Sequence, residues 1–349
     1  MAILLDRART AGNPLIEGET ATLVWQGRRA PHLISDLHGW ESNPQPLQKM
    51  GPDVWGITLR LPQDAYLEYA FYDPKTEKRL PDPFNKRSVN NGVGSRNHYF
   101  YMPGAGPHPL TLRPKGGLRG RVTRHSVPSA FYTASKTRRV DLYHPPTDAA
   151  TPLLVVYDGP DYLQRGRLAV IVDNLIAAGR IPPIAVAFVQ NGGAARTVEY
   201  GCAEPTLGFI TEPVMQLAAQ ELNLLDPAQH PGVHAVMGAS MGGLMCVFTA
   251  LRLPHLFGKV LSQAGAFAYG SEPGAPQSVV LSMLRHFPRP EVKIWLDCGR
   301  MDFLLEPVRA AAALLDERGY TYQYRENGGA HNYTTWRNAC VAGLEYLFA

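Results

Sequence analysis

The stretch that decides the fold is His234-Ala-Val-Met-Gly-Ala-Ser240-Met-Gly-Gly-Leu244. It passes from a short apolar run, the signature of a buried strand, into an apolar helix. Gly238-Ala-Ser240-Met-Gly242 stands at the turn, which is the context that gives a G-x-S-x-G pattern chemical meaning. A serine held at so sharp a corner sits in a strained backbone, and side chains two positions to either side would collide with neighbouring elements. The helix that opens at Met241 turns its free N–H groups and positive dipole end toward the serine, which favours an oxyanion there. With 12 serines in the chain and glycine at about one position in ten, chance supplies roughly 0.1 such patterns, so placement carries the argument.

Around this turn the chain alternates strand, loop and helix. Apolar runs at Arg138 to Tyr143, Leu153 to Tyr157, Ile184 to Val189, His234 to Met237, Lys259 to Ser262, Val292 to Leu296 and Tyr322 to Arg325 predict strands. Glu212 to Leu224, Met241 to Leu251 and Pro307 to Arg318 predict helices between them. Continuous Val/Ile/Leu strands with intervening helices indicate an α/β fold, a doubly wound and mostly parallel sheet covered on both faces. Upstream the pattern differs: Thr20 to Trp25, Ala30 to Ser35, Val54 to Arg60 and Tyr66 to Tyr72 are short β-prone runs between turn residues, as in a small all-β sandwich. The Pro/Gly clusters Met102 to Pro109 and Pro114 to Gly120 separate the two regimes. The expected organisation is a sandwich over 1–112, a linker over 113–120 and an α/β domain over 121–349.

A serine hydroxyl needs a base and an orienting acid, in the chain order Ser, Asp/Glu, His. His331 lies in the glycine-rich loop Glu326-Asn-Gly-Gly-Ala-His331, between a predicted strand and a C-terminal helix. Asp302 lies beyond Gly299 in the loop after Val292 to Leu296, a position from which a carboxylate can reach back to the imidazole; Asp297 and Glu306 are its alternatives. The second oxyanion donor, beside the Met241 amide, should come from Asp158-Gly159-Pro160-Asp161. Pro160 has no N–H, which leaves Gly159 or Asp161.

Composition sets the remaining bounds. The 349 residues are 45% hydrophobic and 18% charged, with a formal charge of +4, enough apolar matter for a large core and too little excess charge for a nucleic-acid binder. No run of about 18 apolar residues suggests a membrane span, and MAILLDRART does not read as a signal peptide, so a cytoplasmic protein is expected. Cys202, Cys246, Cys298 and Cys340 are spread singly, which suggests neither a disulfide framework nor a zinc site. No cofactor fingerprint is visible, and none is expected. From Lys86 to Arg124 there are eight basic residues and no acid, either a solvated connector or a basic rim for an anionic ligand.

The segments Arg138-Arg-Val-Asp-Leu-Tyr-His-Pro-Pro, Leu154-Val-Val-Tyr-Asp-Gly, Gly238-Ala-Ser-Met-Gly-Gly, Leu296-Asp-Cys-Gly and Gly328-Gly-Ala-His, with Trp336 five residues on, resemble the esterase D branch of the α/β-hydrolases. Ala11-Gly-Asn-Pro-Leu-Ile-Glu-Gly-Glu, the turn at Trp25 and Pro81-Asp-Pro-Phe-Asn resemble the Ig-like domain that precedes the hydrolase in enterochelin esterases. The resemblance implies a serine esterase with Ser240, Asp302 and His331 as its triad. Its substrate would be a small-molecule ester of the siderophore class, iron-loaded forms included, with neither nucleic acid nor membrane as partner. It also implies that Arg196 and Glu199, in Arg196-Thr-Val-Glu199, line the substrate cleft; a structural ion pair holding a loop is the other reading. Two alternatives accompany it. One is a feruloyl or acetyl esterase whose N-terminal Trp25, Trp40 and Trp55 stack on sugar, although Trp25 and Trp55 lie in alternating strands and read as core. The other is a non-catalytic binding protein on a hydrolase fold.

Overall fold

The computed structural model describes residues 2–92, 94–270 and 278–349. Contacts divide the chain into two compact units. The first is Met1–Gly106 together with two later segments, Gly299–Phe303 and Asn327–Thr335. After the helix α1 (Ala2–Ala11), its strands are β1 (Leu15–Glu17), β2 (Thr20–Gln26), β3 (His32–Ser35), β4 (Gln45–Pro46), β5 (Gln48–Gly51), β6 (Val54–Arg60), β7 (Tyr66–Asp73), β8 (Lys78–Leu80), β9 (Ser88–Asn90) and β10 (Arg96–Tyr101). They form one sheet in the order β1-β2-β6-β5 and a second in the order β4-β3-β7-β10-β9, with β8 on β7. Alternation along β2 and β6 sends Ala21, Leu23 and Leu59 inward, where they meet Leu33, Leu67, Tyr69, Phe71 and Phe100 of the other sheet. Trp25 and Trp55 face each other in the β2–β6 register and pack against this core, so two of the three candidate sugar platforms are structural, as their strand positions imply.

The second unit comprises Pro107–Cys298, Leu304–Glu326 and Trp336–Ala349. Its strands are β11 (Arg121–Pro128), β12 (Thr137–His144), β13 (Leu153–Val156), β14 (Ala185–Val189), β15 (His234–Ala239), β16 (Phe257–Gln263), β17 (Lys293–Gly299) and β18 (Thr321–Asn327). They make one sheet in the order β11-β12-β14-β13-β15-β16-β17-β18. The pairings β14–β13, β13–β15, β15–β16 and β16–β17 are parallel, whereas β11–β12 and β12–β14 are antiparallel. Every residue of β13, β14 and β15 is buried, the state expected of central strands with helices on both faces. Those helices are α2 (Gly159–Gln164), α3 (Leu168–Ala177), α4 (Arg196–Tyr200), α5 (Glu204–Phe209), α6 (Met215–Glu221), α7 (Met241–Arg252), α8 (Val279–His286), α9 (Leu305–Glu317) and α10 (Tyr333–Phe348). No helix among the described residues is long and apolar enough to cross a membrane.

Three differences from the sequence reading have physical causes. The expected helix over Glu212 to Leu224 is regular only from Met215, because Pro213 sits in a wider π turn at Ile210–Val214. β11 carries no strand signal because its two valines, exposed Val122 and buried Val127, fall on opposite faces and the strand lies at the sheet's edge, so no apolar alternation marks it. The expected linker at 113–120 packs on the second unit: the Arg119 and Gly120 amides donate to buried Asp173, and Asn174 donates to the Leu110 and Leu112 carbonyls. The contact division accordingly falls between Gly106 and Pro107. Within the basic stretch, Arg87 and Arg96 bond to Asn85 and Ser88, and Arg124 pairs with Asp141.

Candidate active site

Ser240 follows β15 and caps α7 with φ 58° and ψ −124°. A non-glycine residue in this region costs on the order of 1–3 kcal/mol and persists only where its surroundings impose it. Here the Ser240 amide donates to the Gln263 carbonyl at 2.9 Å, and the Ser240 carbonyl accepts from Leu244 at 3.1 Å and Ala266 at 3.0 Å. Gly238 is required because a Cβ there would lie 2.7 Å from the Gly242 carbonyl. Behind the turn, Gln263 is fixed by buried polar partners: its amide donates to Asp297 and to the Trp336 carbonyl, and its oxygen accepts from Tyr162 at 2.9 Å.

Asp158 holds the loop beside the turn. It sits in the left-handed region at φ 54°, just before Gly159. Gly159 packs so closely on β14 that a Cβ would lie 2.2 Å from the Phe188 carbonyl carbon. The Asp161 amide is spent on the Asp158 carbonyl at 3.0 Å, which narrows the two candidate donors of this loop to Gly159. Arg196 grips Asp158 with two bonds of 2.7 Å, Asn191 adds a third at 2.6 Å, and Arg196 also reaches the Ala239 carbonyl at 3.5 Å. The arginine thus ties the Gly159 loop to the residue preceding the serine.

Arg196 and Glu199 do not act together. Glu199 is buried and clamped by Arg138 through bonds of 2.9 and 2.8 Å, with side-chain exposures of 3% for Arg138 and 7% for Glu199. It also accepts the Ala134 amide. Glu199 thus stands in a buried ion pair, with a partner 61 residues upstream that local spacing could not reveal. Arg196 remains partly exposed at 28%.

In the first unit His331 Nδ1 donates to the Asp302 carboxylate, with distances of 2.9 and 3.1 Å to its two oxygens. Asp302 is buried and His331 is about a quarter exposed. Of the alternative acids, Asp297 is occupied by Gln263 and by Trp295 Nε1 at 2.8 Å, and Glu306 pairs with Arg309. Sequence reasoning missed Asp36, which accepts the Glu68 amide at 2.8 Å and the Asn332 side chain at 3.2 Å. Burial, reinforced by Glu68 and Asp302, holds its carboxyl well above the usual range. An isolated acid in a β-rich segment gives no signal that it will meet residues nearly three hundred positions away. The same unit braces the histidine loop: the Tyr66 amide donates to the Gly328 carbonyl, and the Tyr66 hydroxyl donates to Glu68 and accepts from the Thr334 hydroxyl.

A serine at a strained turn between a central strand and a helix, on a doubly wound sheet, defines an α/β-hydrolase. The family model "Putative esterase" matches residues 133–347, and the chain belongs to that family: it is a carboxylic-ester hydrolase. It is similar to the iron(III) enterobactin esterase of Escherichia coli K12, 24% identical over 338 residues, covering 88% of this chain and 82% of the relative. To the iron(III) salmochelin esterase of an E. coli O6:H1 strain it is 26% identical over 328 residues, with 84% and 78% covered. The crystal structure of ferric enterobactin esterase from Salmonella typhimurium superposes with a TM-score of 0.80, at 19% identity and coverage of 96% and 95%.

Proposed function

We propose that the enzyme hydrolyses bulky siderophore esters through an acyl-enzyme on Ser240. Ser240 Oγ attacks the ester carbonyl while His331 Nε2 takes its proton. Asp302 holds Nδ1–H and stabilises the imidazolium without itself becoming protonated. The Met241 and Gly159 amides bind the oxyanion. Collapse of the tetrahedral intermediate breaks the C–O bond, and His331 returns the proton to the departing alcohol. Water, deprotonated in turn by His331, then releases the acid and restores Ser240. Arg196 fixes the oxyanion loop and stands as the substrate-facing residue of its pair.

The observation that carries this reading is the Asp302–His331 pair in a chain whose strained serine precedes both residues. The siderophore class rests on the activities of relatives that align over most of their length, sandwich region included. The four cysteines are spread singly along the sequence, which suits a reducing compartment such as the cytoplasm. Turnover of ferric enterobactin, its iron-free form, salmochelin and a simple aryl ester by wild type and Ser240→Ala tests both parts. Catecholate esters should lead the ranking, and the serine variant should fall to background. Full turnover by Ser240→Ala would sink the nucleophile assignment, and catecholates ranking no better than the aryl ester would sink the substrate class.

A further inference from the structure

The first unit carries a cleft of about 520 Å³ lined by Asp36, Leu37, Gly39, Trp40, Arg300, Met301, Asp302, Phe303 and His331. Four of these side chains are apolar, and two are unusual. Phe303 is 75% exposed, with its ring centroid 4.6 Å from that of His331. With Leu37, Trp40 and Met301 it gives the cleft a contiguous apolar lining of the kind that marks a ligand groove. Trp40 has φ 58° directly after Gly39 at φ 68°. A bulky residue in the left-handed region is an outlier that points to function. Its ring is held in place by the Arg79 guanidinium, 5.0 Å from the centroid, and Arg79 is itself anchored by Glu41 and Asn97.

Arg300, the arginine in the cleft lining, is already paired with Asp64. Asp302 holds His331, while Asp36 accepts the Glu68 amide and the Asn332 side chain. An anionic ring would gain no unpaired cation here, whereas a flat uncharged ring would gain the faces of Trp40 and Phe303. The position also fixes the side of the ester. A triad histidine protonates the departing alcohol, so a pocket that shares His331 as a wall accommodates the alcohol half, with the acyl half held at the serine.

We propose that this cleft is a leaving-group subsite for an uncharged aromatic ring on the alcohol side of the ester, with Trp40 as its specificity-determining residue. The assignment rests on the esterase reading above. It makes the sandwich unit a contributor to substrate choice.

The test uses the full-length enzyme and two pairs of esters. Benzyl and ethyl butyrate differ on the alcohol side, and ethyl phenylacetate and ethyl butyrate differ on the acyl side. In Trp40→Ala the benzyl-to-ethyl ratio of kcat/KM should fall by about ten-fold, the factor carried by a modest loss of aromatic binding, chiefly through KM. The acyl-side ratio should hold, and Trp40→Phe should recover most of the benzyl preference. A fall in both ratios together, or in neither, would overturn the subsite alone. If wild type turned over no ester, the esterase reading would fail and the subsite with it.

Discussion

Replacing Glu199 by alanine separates a structural acid from a binding one. The Arg138–Glu199 pair is shielded, with exposures of 3% and 7%, and its two bonds of 2.8 and 2.9 Å satisfy one edge of the guanidinium. Arg138 retains Ser135 Oγ, the Gln190 carbonyl and the face of the Phe209 ring when the carboxylate is removed, and the Ala134 amide loses its acceptor. A buried charge stripped of its counter-charge costs about 3–5 kcal/mol, a large share of a total stability of roughly 5–15 kcal/mol. For a unit of this size each kcal/mol moves the midpoint by about 2–4 °C, so Tm should fall by about 6–20 °C. The assay is calorimetric melting alongside kcat and KM on an aryl ester at a temperature where the variant remains folded. Melting should drop while KM changes little, and Arg138→Met with Glu199→Leu should recover most of the loss, because an apolar pair of similar volume is tolerated in place of a buried ion pair. An unchanged Tm with a raised KM would refute the structural role and return Glu199 to the substrate.

Two further outcomes follow from the same geometry. Asp302→Asn should cut kcat by about 10⁴-fold with little change in Tm, because the amide no longer holds the Nδ1–H tautomer; a loss under ten-fold would remove Asp302 as the orienting acid. His234 supplies a pH effect on stability. It is buried, its Nδ1 accepts the Leu153 amide at 3.1 Å, and burial, with Lys259 nearby, lowers its pKa from 6.5 to about 4. The folded value lies below the unfolded one, so the unfolded chain gains the proton first as pH falls. The contribution is complete above pH 6.5 and declines by about 3 kcal/mol on the way to pH 4. Urea midpoints at pH 7 and 4.5 should show this decline in wild type and a smaller one in His234→Gln. Equal declines would exclude His234 as the cause.

What the sequence disclosed was local chemistry. The strained serine is encoded within five residues, since Gly238 and Gly242 are there for the backbone to pass, and the glycine loop before His331 announces itself in the same way. The central strands were legible because burial on both faces leaves an unbroken apolar run. Long-range partners were not legible. Nothing in Arg196-Thr-Val-Glu199 says that the arginine will clamp Asp158 and that the glutamate will be clamped by Arg138. The Pro/Gly clusters did mark a boundary region, but they could not show that Pro107 onward packs with the second unit, or that Gly299–Phe303 and Asn327–Thr335 group with the first. In the sequence Trp40 signals no more than a sugar platform, because its strain comes from a backbone conformation that the residue type does not encode.

The grouping of those two loops with the sandwich bears on how such an enzyme can be dissected. Asp64 pairs with Arg300, and its backbone fills the space beside Gly328 so closely that a Cβ there would lie 2.2 Å away. The sandwich is therefore no detachable appendage. Trimming the gene to its family-matched portion would discard the strands against which the loops that carry Asp302 and His331 are moulded. Any natural shortening of the N-terminus would need compensating changes in the loops after β17 and β18, and those loops are where a shortened lineage should carry its substitutions.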